Sequence, residues 1–490
     1  MDFSEAYPDR CSTVGAAVRL GNAELLRELL AGGSSVDVHD NRGWTPLHEA
    51  CNGGHYDCAK LLLKKASKED VNAQTWEGET PVFFAAKNGH KKLLRLLAAK
   101  GGDLQLCNNE GGSPILQAVA GNHEACIAFL LERGTSADSQ LCTGWSPLHE
   151  AACRGFDSAL RLLLGAGAVT DCRDDFGIAP VFTAAQYGQL ACLKLLLQHG
   201  ADPDCRAEDG ATPLYLAAQE GHTDCVACLL AQGASPDIGL KNEDHFLPIH
   251  AAAYKGRTEC VELLLPRSLS ALDVPILSPL HLAARGGYET TVRRLLEAGC
   301  DPDYGIPNPA AAAVVSGRTF HGGDVGEDTP LSLAVGRGHR TVARILVDAG
   351  ATLCCPSNTF CLVTADDRSP EPLHLLVELG ADVACPHVLN QPDFLLHCSL
   401  AYFKCLAGYG LRLPFSCGRS RGLCAAACGD YPRRVPELIQ KMKLMHRYVS
   451  RLCLCPHSVS CLQRHDQEAY KSLACEYFCP KEQTNCKVRV

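Results

Sequence analysis

Apolar positions along the chain fall into paired helical clusters, separated by polar steps that contain glycine. The unit is clearest from Gly210 to Asp237, GATPLYLAAQEGHTDCVACLLAQGASPD. Leu214, Ala217 and Ala218 give a first short helix one close-packing face. Val226, Leu229 and Leu230 do the same for a second. The Thr212 hydroxyl is placed to cap the first helix, and Pro213 takes the first helical position, where no amide donor is needed. Gly221, nine residues after Thr212, is expected to adopt the left-handed conformation that ends the helix, and Gly233 closes the second.

Variants of this unit recur. The opening proline stands at Pro46, Pro81, Pro114, Pro147, Pro180, Pro213, Pro248, Pro279 and Pro330, with gaps of 35, 33, 33, 33, 33, 35, 31 and 51 residues. The turn residue recurs with it, as Asn122 in the third unit and glycine in the others. Neither helix of a unit can bury its apolar face alone, but stacked neighbours can, so the pattern predicts an all-α solenoid. A period near 33 with TPLH-like openings resembles the ankyrin repeat. The resemblance implies an ankyrin-repeat solenoid, and the count of units gives about twelve helix pairs. Beyond them the residues read as a small helical, cysteine-rich C-terminal region.

Residues 1–39 read as an N-terminal capping repeat, with two helical clusters in Val14–Gly33 and no TPLH opening. Residues 40–351 hold nine repeats, with an insertion near 304–328. The Pro248 repeat is irregular, with Pro266 near the place of the closing glycine. Residues 352–414 read as degenerate repeats, paced by Gly350, Gly380 and Gly410. Residues 415–490 form the C-terminal region.

Composition narrows the function class. The net charge of −9 comes from 46 basic and 55 acidic side chains spread evenly, which gives no basic stripe for nucleic acid. MDFSEAYPDR carries no apolar signal core, and no run of 18 apolar residues predicts a membrane span. Twenty-nine cysteines would suit a secreted disulfide scaffold. Their placement points elsewhere: Cys58, Cys126, Cys192, Cys225 and Cys260 all lie thirteen residues after a repeat opening. Other repeats place Leu93, Ala159, Thr291 and Val342 there. Equivalent positions on stacked helices about 8–10 Å apart are mostly too distant for disulfides, so free buried thiols are expected. These features suit the cytoplasm, with the nucleus as a second compartment.

A narrower resemblance rests on GWTPLHEA from Gly43, GWSPLHEA from Gly144, the opening MDFSEAY and the DDFGIAPVFTAAQYG stretch from Asp174. These resemble ankyrin repeat and SOCS box proteins. The stretch Leu444–Ala474, LMHRYVSRLCLCPHSVSCLQRHDQEAYKSLA, is similar to the segment that precedes the SOCS box in that family. The resemblance implies a substrate adaptor for a ubiquitin ligase. The ankyrin surface would hold the protein substrate, and the SOCS box would dock elongin B and C and a cullin–RING scaffold. The box usually opens with leucine, a cysteine four residues on and then arginine, with an LPLP-like step later. Val449 and Cys453 have the first spacing, but Pro456 would interrupt the helix that must follow, and nothing after Ala474 spells the rest. The box therefore reads as absent or truncated. The alternative is an ankyrin scaffold, or a truncated competitor of full-length relatives, that binds protein partners without recruiting elongin and cullin.

No nucleophile elbow, phosphate-binding loop or HExxH step is present, so neither enzymatic activity nor a cofactor is expected. His48, His149, His250 and His281 hold the fourth TPLH position, where the resemblance implies a bond to backbone between repeats. Phe83, Leu116, Phe182, Tyr215 and Ser332 replace them elsewhere, which fits structure and not catalysis. Cys453, Cys455, His457, Cys461, His465, Cys475, Cys479 and Cys486 match no compact zinc spacing, so no metal site is assigned. Partner recognition has better candidates. Trp44, Trp76 and Trp145 lie within four residues before a repeat opening, at or near the finger loops, and tryptophan is enriched in binding hot spots. Tyr187, Gln189, Glu220 and His222 surround the turns between paired helices. The concave face of repeats one to five is the expected partner surface.

Overall fold

The computed structural model describes residues 13–241, 246–268, 278–305, 329–353 and 371–381, and every regular element among them is helical. The chain divides into two compact units. One comprises Met1–Ala252 with Glu259–Ser268, the other Ala253–Thr258 with Leu269–Val490.

The first unit opens with the pair Thr13–Arg19 and Ala23–Ala31. Inner helices follow at Pro46–Gly53, Pro81–Lys87, Pro114–Ala120, Pro147–Arg154, Pro180–Gln186 and Pro213–Glu220. Each packs on the next, and the outer helices form a parallel row behind them. In the second unit Pro279–Gly286 packs on Pro330–Gly336, and Glu289–Glu297 on Arg340–Asp348. The helix Glu371–Glu378 touches Pro330–Gly336. That helix is the described part of the degenerate-repeat region expected at 352–414, apart from the ends of the segments that flank it. Most of the expected insertion and all of 415–490 lie outside the described residues.

The opening and turn residues act as their types require. The hydroxyls of Thr80, Ser113, Ser146, Thr212 and Thr329 each accept a backbone N–H from the first helical turn. Every expected turn glycine has a positive φ, 87° at Gly221 for example, and Asn122 holds the same conformation at 53°. Asparagine tolerates this region better than other side-chain-bearing residues because its short amide bonds locally. Behind these turns the predicted apolar faces close on one another. Leu214, Ala217, Val226 and Leu229 are fully buried, and each large aliphatic side chain so buried contributes roughly 1.5–3 kcal/mol.

Two departures from the period have physical explanations. The 35-residue gap between Pro46 and Pro81 accommodates an extra turn, Lys68–Val71, capped by Ser67. In the Pro248 repeat, Leu265–Arg267 forms a 3-10 turn in place of the glycine closure. There Arg267 donates to the Leu230 carbonyl at 2.8 Å, satisfying the end of the preceding outer helix.

Candidate protein-binding surface

The loops that lead into the inner helices are joined by a backbone ladder. The amide of Trp76 donates to Arg42 O, Asn109 to Glu77 O, Cys142 to Glu110 O, Asp175 to Thr143 O, Glu208 to Phe176 O and Lys241 to Asp209 O, at 2.8–3.2 Å. Each loop thus fixes the next, and side chains along this edge start from a rigid backbone. The ladder has no sequence signal of its own, because any non-proline residue supplies the donor and acceptor.

The three tryptophans sit on this edge in different settings. Trp76 is 69% exposed. Its indole N–H donates to Asn41 O at 3.0 Å and its ring lies against Gly43, where a Cβ would come within 3.1 Å of the indole. Trp44 is half-buried, 4.4 Å from the Phe84 ring of the next repeat and 4.3 Å from the Arg42 guanidinium. Arg42 pairs with Asp40 and Glu49, and Arg19 meets the same Glu49 oxygen at 2.6 Å. Trp145 stacks on His149 with 5.0 Å between ring centroids and donates to Glu150 Oε2 at 2.9 Å. All three rings are held by their own or adjoining loops and helices, and each keeps surface facing outward.

Tyr187, Gln189, Glu220 and His222 gather at the opposite end of the inner helices. The structure therefore gives two rows, not one cluster. Glu220 ends the helix Pro213–Glu220, and Tyr187, 51% exposed, follows the helix Pro180–Gln186. Gln189 and His222 have a further task. Gln189 donates to Cys153 O at 3.3 Å, and His222 Nε2 lies 3.0 Å from Gln186 O. His123 meets Lys87 O in the same way, and His339 meets Arg285 O. A carbonyl only accepts, so Nε2 carries the hydrogen in each histidine. Sequence reasoning missed this spine, although the signal was present. The position ten residues after the opening reads His55, His90, His123, Phe156, Gln189, His222, Arg257, Tyr288 and His339, so histidine fills five of the nine.

The TPLH histidines form a second spine, buried deeper. His48 Nε2 lies 3.1 Å from Glu79 O and His149 Nε2 lies 2.9 Å from Ile178 O, while each Nδ1 accepts the amide of Thr45 or Ser146. Burial lowers the His48 pKa to about 4 and pulls His149 down too. Both are neutral structural groups near pH 7. The five periodic cysteines are buried free thiols. Burial raises the pKa of Cys58, Cys126, Cys192 and Cys225, to about 11 at the last three. No cluster of metal-binding side chains occurs among the described residues, and no described helix is long and apolar enough to cross a membrane. The cysteine- and histidine-rich stretch 453–486 lies outside them.

Comparison with known proteins adds a family context. The family described as ankyrin repeats (3 copies) matches residues 14–106, 83–174, 148–242 and 235–306. Ankyrin repeat and SOCS box protein 3 of Bos taurus is 46% identical over 104 residues, 21% of this chain and 20% of that protein. Its Homo sapiens counterpart is 47% identical over the same lengths. The human SMC5-SMC6 complex localization factor protein 1 is 42% identical over 74 residues, 15% of this chain and 7% of that protein. The chain therefore spans only a fifth of the length of the SOCS box relatives it matches.

Proposed function

The chain belongs to the ankyrin-repeat family, and from that premise we propose that it is a protein-binding adaptor, the substrate-recognition subunit of an elongin–cullin–RING ubiquitin ligase. It acts without catalysis of its own, in protein ubiquitination and intracellular signalling in the cytoplasm. The partner lies along the inner-helix edge of the first unit. Trp44, Trp76 and Trp145 form its upper contact row, and Tyr187 and Glu220 a lower one, with Gln189 and His222 holding the lower row in place. One observation carries this reading: a 69%-exposed tryptophan is fixed at both its backbone and its indole N–H. A rigid exposed aromatic loses little freedom on binding, which is the property of an interface anchor. Similarity to proteins named for an ankyrin repeat and a SOCS box supports the ligase half of the proposal.

A scaffold that binds partners without elongin is the second reading. It is favoured by Pro456, which falls three residues after Cys453 where the box helix would run. Co-purification of the full chain with elongin B and C separates the two. Stoichiometric recovery of both elongins supports the ligase adaptor. Partner binding without any elongin selects the scaffold.

A further inference from the structure

In the second unit, the ends of successive inner helices surround a groove of about 280 Å³. Its wall carries Tyr254, Lys255, Leu282, Arg285, Tyr288 and Arg337. Tyr254 and Lys255 close the inner helix of the Pro248 repeat, Arg285 lies in the last turn of Pro279–Gly286, and Arg337 follows Pro330–Gly336. Three consecutive repeats thus each contribute one cation to the same place. Among the described residues no ion pair involves Lys255, Arg285 or Arg337. In the first unit Arg154, at the repeat position of Lys255 and Arg337, is neutralised by Glu150 at 2.5 Å.

The groove is also shaped. Tyr288 occupies the position that histidine or glutamine fills in six other repeats, and its ring lies across two glycines. A Cβ at Gly286 would meet that ring at 2.2 Å, and one at Gly256 at 2.4 Å. Leu282 is buried beneath, while Tyr254 is 50% exposed with the Lys255 ammonium 5.8 Å from its ring centroid. Arg285 is half-buried, and burial together with the Arg337 charge lowers its pKa below the ordinary arginine value. Two like charges held together without a carboxylate favour an anionic visitor.

We propose that this groove binds the phosphorylated side chain of a partner peptide, phosphotyrosine above all. Resting on the protein-binding reading above, it names a ligand chemistry for a second site. A phosphate carries up to two charges at neutral pH and three acceptor oxygens, which suits two guanidinium forks and one ammonium better than a single carboxylate does. The tyrosine rings and Leu282 supply an apolar wall for an aromatic stem. The volume lies just under the usual range for drug-sized ligands, about 300–1,000 Å³, which fits one side chain. Three cations in a chain of net charge −9 do not make a nucleic-acid stripe.

The test immobilises the full chain and presents three degenerate peptide pools, alike except for a central phosphotyrosine, tyrosine or glutamate. Retention of the phosphotyrosine pool should exceed both others by about tenfold, and inorganic phosphate should compete. Arg285→Gln with Arg337→Gln should remove that excess while circular dichroism stays unchanged. Arg337 is exposed, so Arg337→Gln alone keeps the test sharp if the double variant does not fold. Equal retention of the three pools overturns the proposal, as does a phosphotyrosine excess that survives the substitutions in a folded protein. Trp44→Ala with Trp145→Ala should leave phosphopeptide retention intact. Loss of phosphopeptide selectivity with tryptophan-dependent partner capture retained sinks this inference alone. Selectivity retained without elongin recovery sinks only the ligase reading.

Discussion

Protonation of His48 should loosen the first full repeat at mildly acidic pH. In the folded protein its Nδ1 accepts the Thr45 amide at 3.0 Å and its Nε2–H reaches Glu79 O. A second proton must sit on Nδ1, where it removes the acceptor and places a charge in a buried site. Burial lowers the pKa to about 4, against about 6.5 in an unfolded chain. The unfolded state therefore binds more protons between these values, and stability rises with pH across that window. The full contribution is present above pH 6.5 and is lost as pH falls to 4. The loss is about 2 kcal/mol at pH 5 and about 3 kcal/mol below pH 4, to order of magnitude. Hydrogen exchange of the peptide covering residues 45–55, corrected for intrinsic rates, reads this locally, which matters because repeat arrays need not unfold as one unit. The comparison is His48→Phe, the residue that the Pro81 and Pro180 repeats carry as Phe83 and Phe182. The variant should be less protected at pH 7.5, having lost buried hydrogen bonds worth about 1 kcal/mol or more each. Its protection should also vary less between pH 6.5 and 4 than the parent's. Equal pH dependence in parent and variant would refute the buried neutral histidine.

Other consequences can be checked in the same protein. Gly155→Ala should destabilise by about 1–2 kcal/mol, because φ is 73° and the new Cβ would fall 2.2 Å from Gln189 Oε1; thermal melting reads it. Asn122→Gly, at φ 53°, should leave the melting temperature nearly unchanged. A thiol reagent at neutral pH should label exposed Cys142 well before Cys126, Cys192 and Cys225, and mass spectrometry of the tagged peptides gives the order. Arg267→Ala should cost about 1–2 kcal/mol by leaving Leu230 O without its charged donor, seen as faster exchange in residues 258–268.

Much of the fold is legible in one repeat. Thr212, Pro213 and Gly221 mark a helix start and stop by local chemistry, and Asn122 fits the rule that explains the glycines. The apolar faces and the periodic thiols follow from the same spacing. What the sequence hides are bonds between repeats. His222 reads as a turn residue on a surface until its bond to Gln186 O is seen, 36 residues away. The loop ladder is invisible because backbone groups make it. The tryptophans are placed correctly at the loops by their distance from the openings, yet only coordinates separate Trp76, exposed over Gly43, from Trp44, packed against Phe84. The groove cations Lys255, Arg285 and Arg337 are scattered in sequence and converge only when three helices end together.

The proposed function requires the inner-helix edge of the first unit to hold a protein partner through its tryptophans. The direct measurement is capture by proximity cross-linking and mass spectrometry, comparing the parent with Trp44→Ala/Trp145→Ala and with Trp76→Ala. The partners cross-linked to the parent edge should be lost from both variants, by about 2 kcal/mol or more in affinity for a true hot spot, while circular dichroism shows both folded. Undiminished capture of the same partners by the folded variants would contradict it.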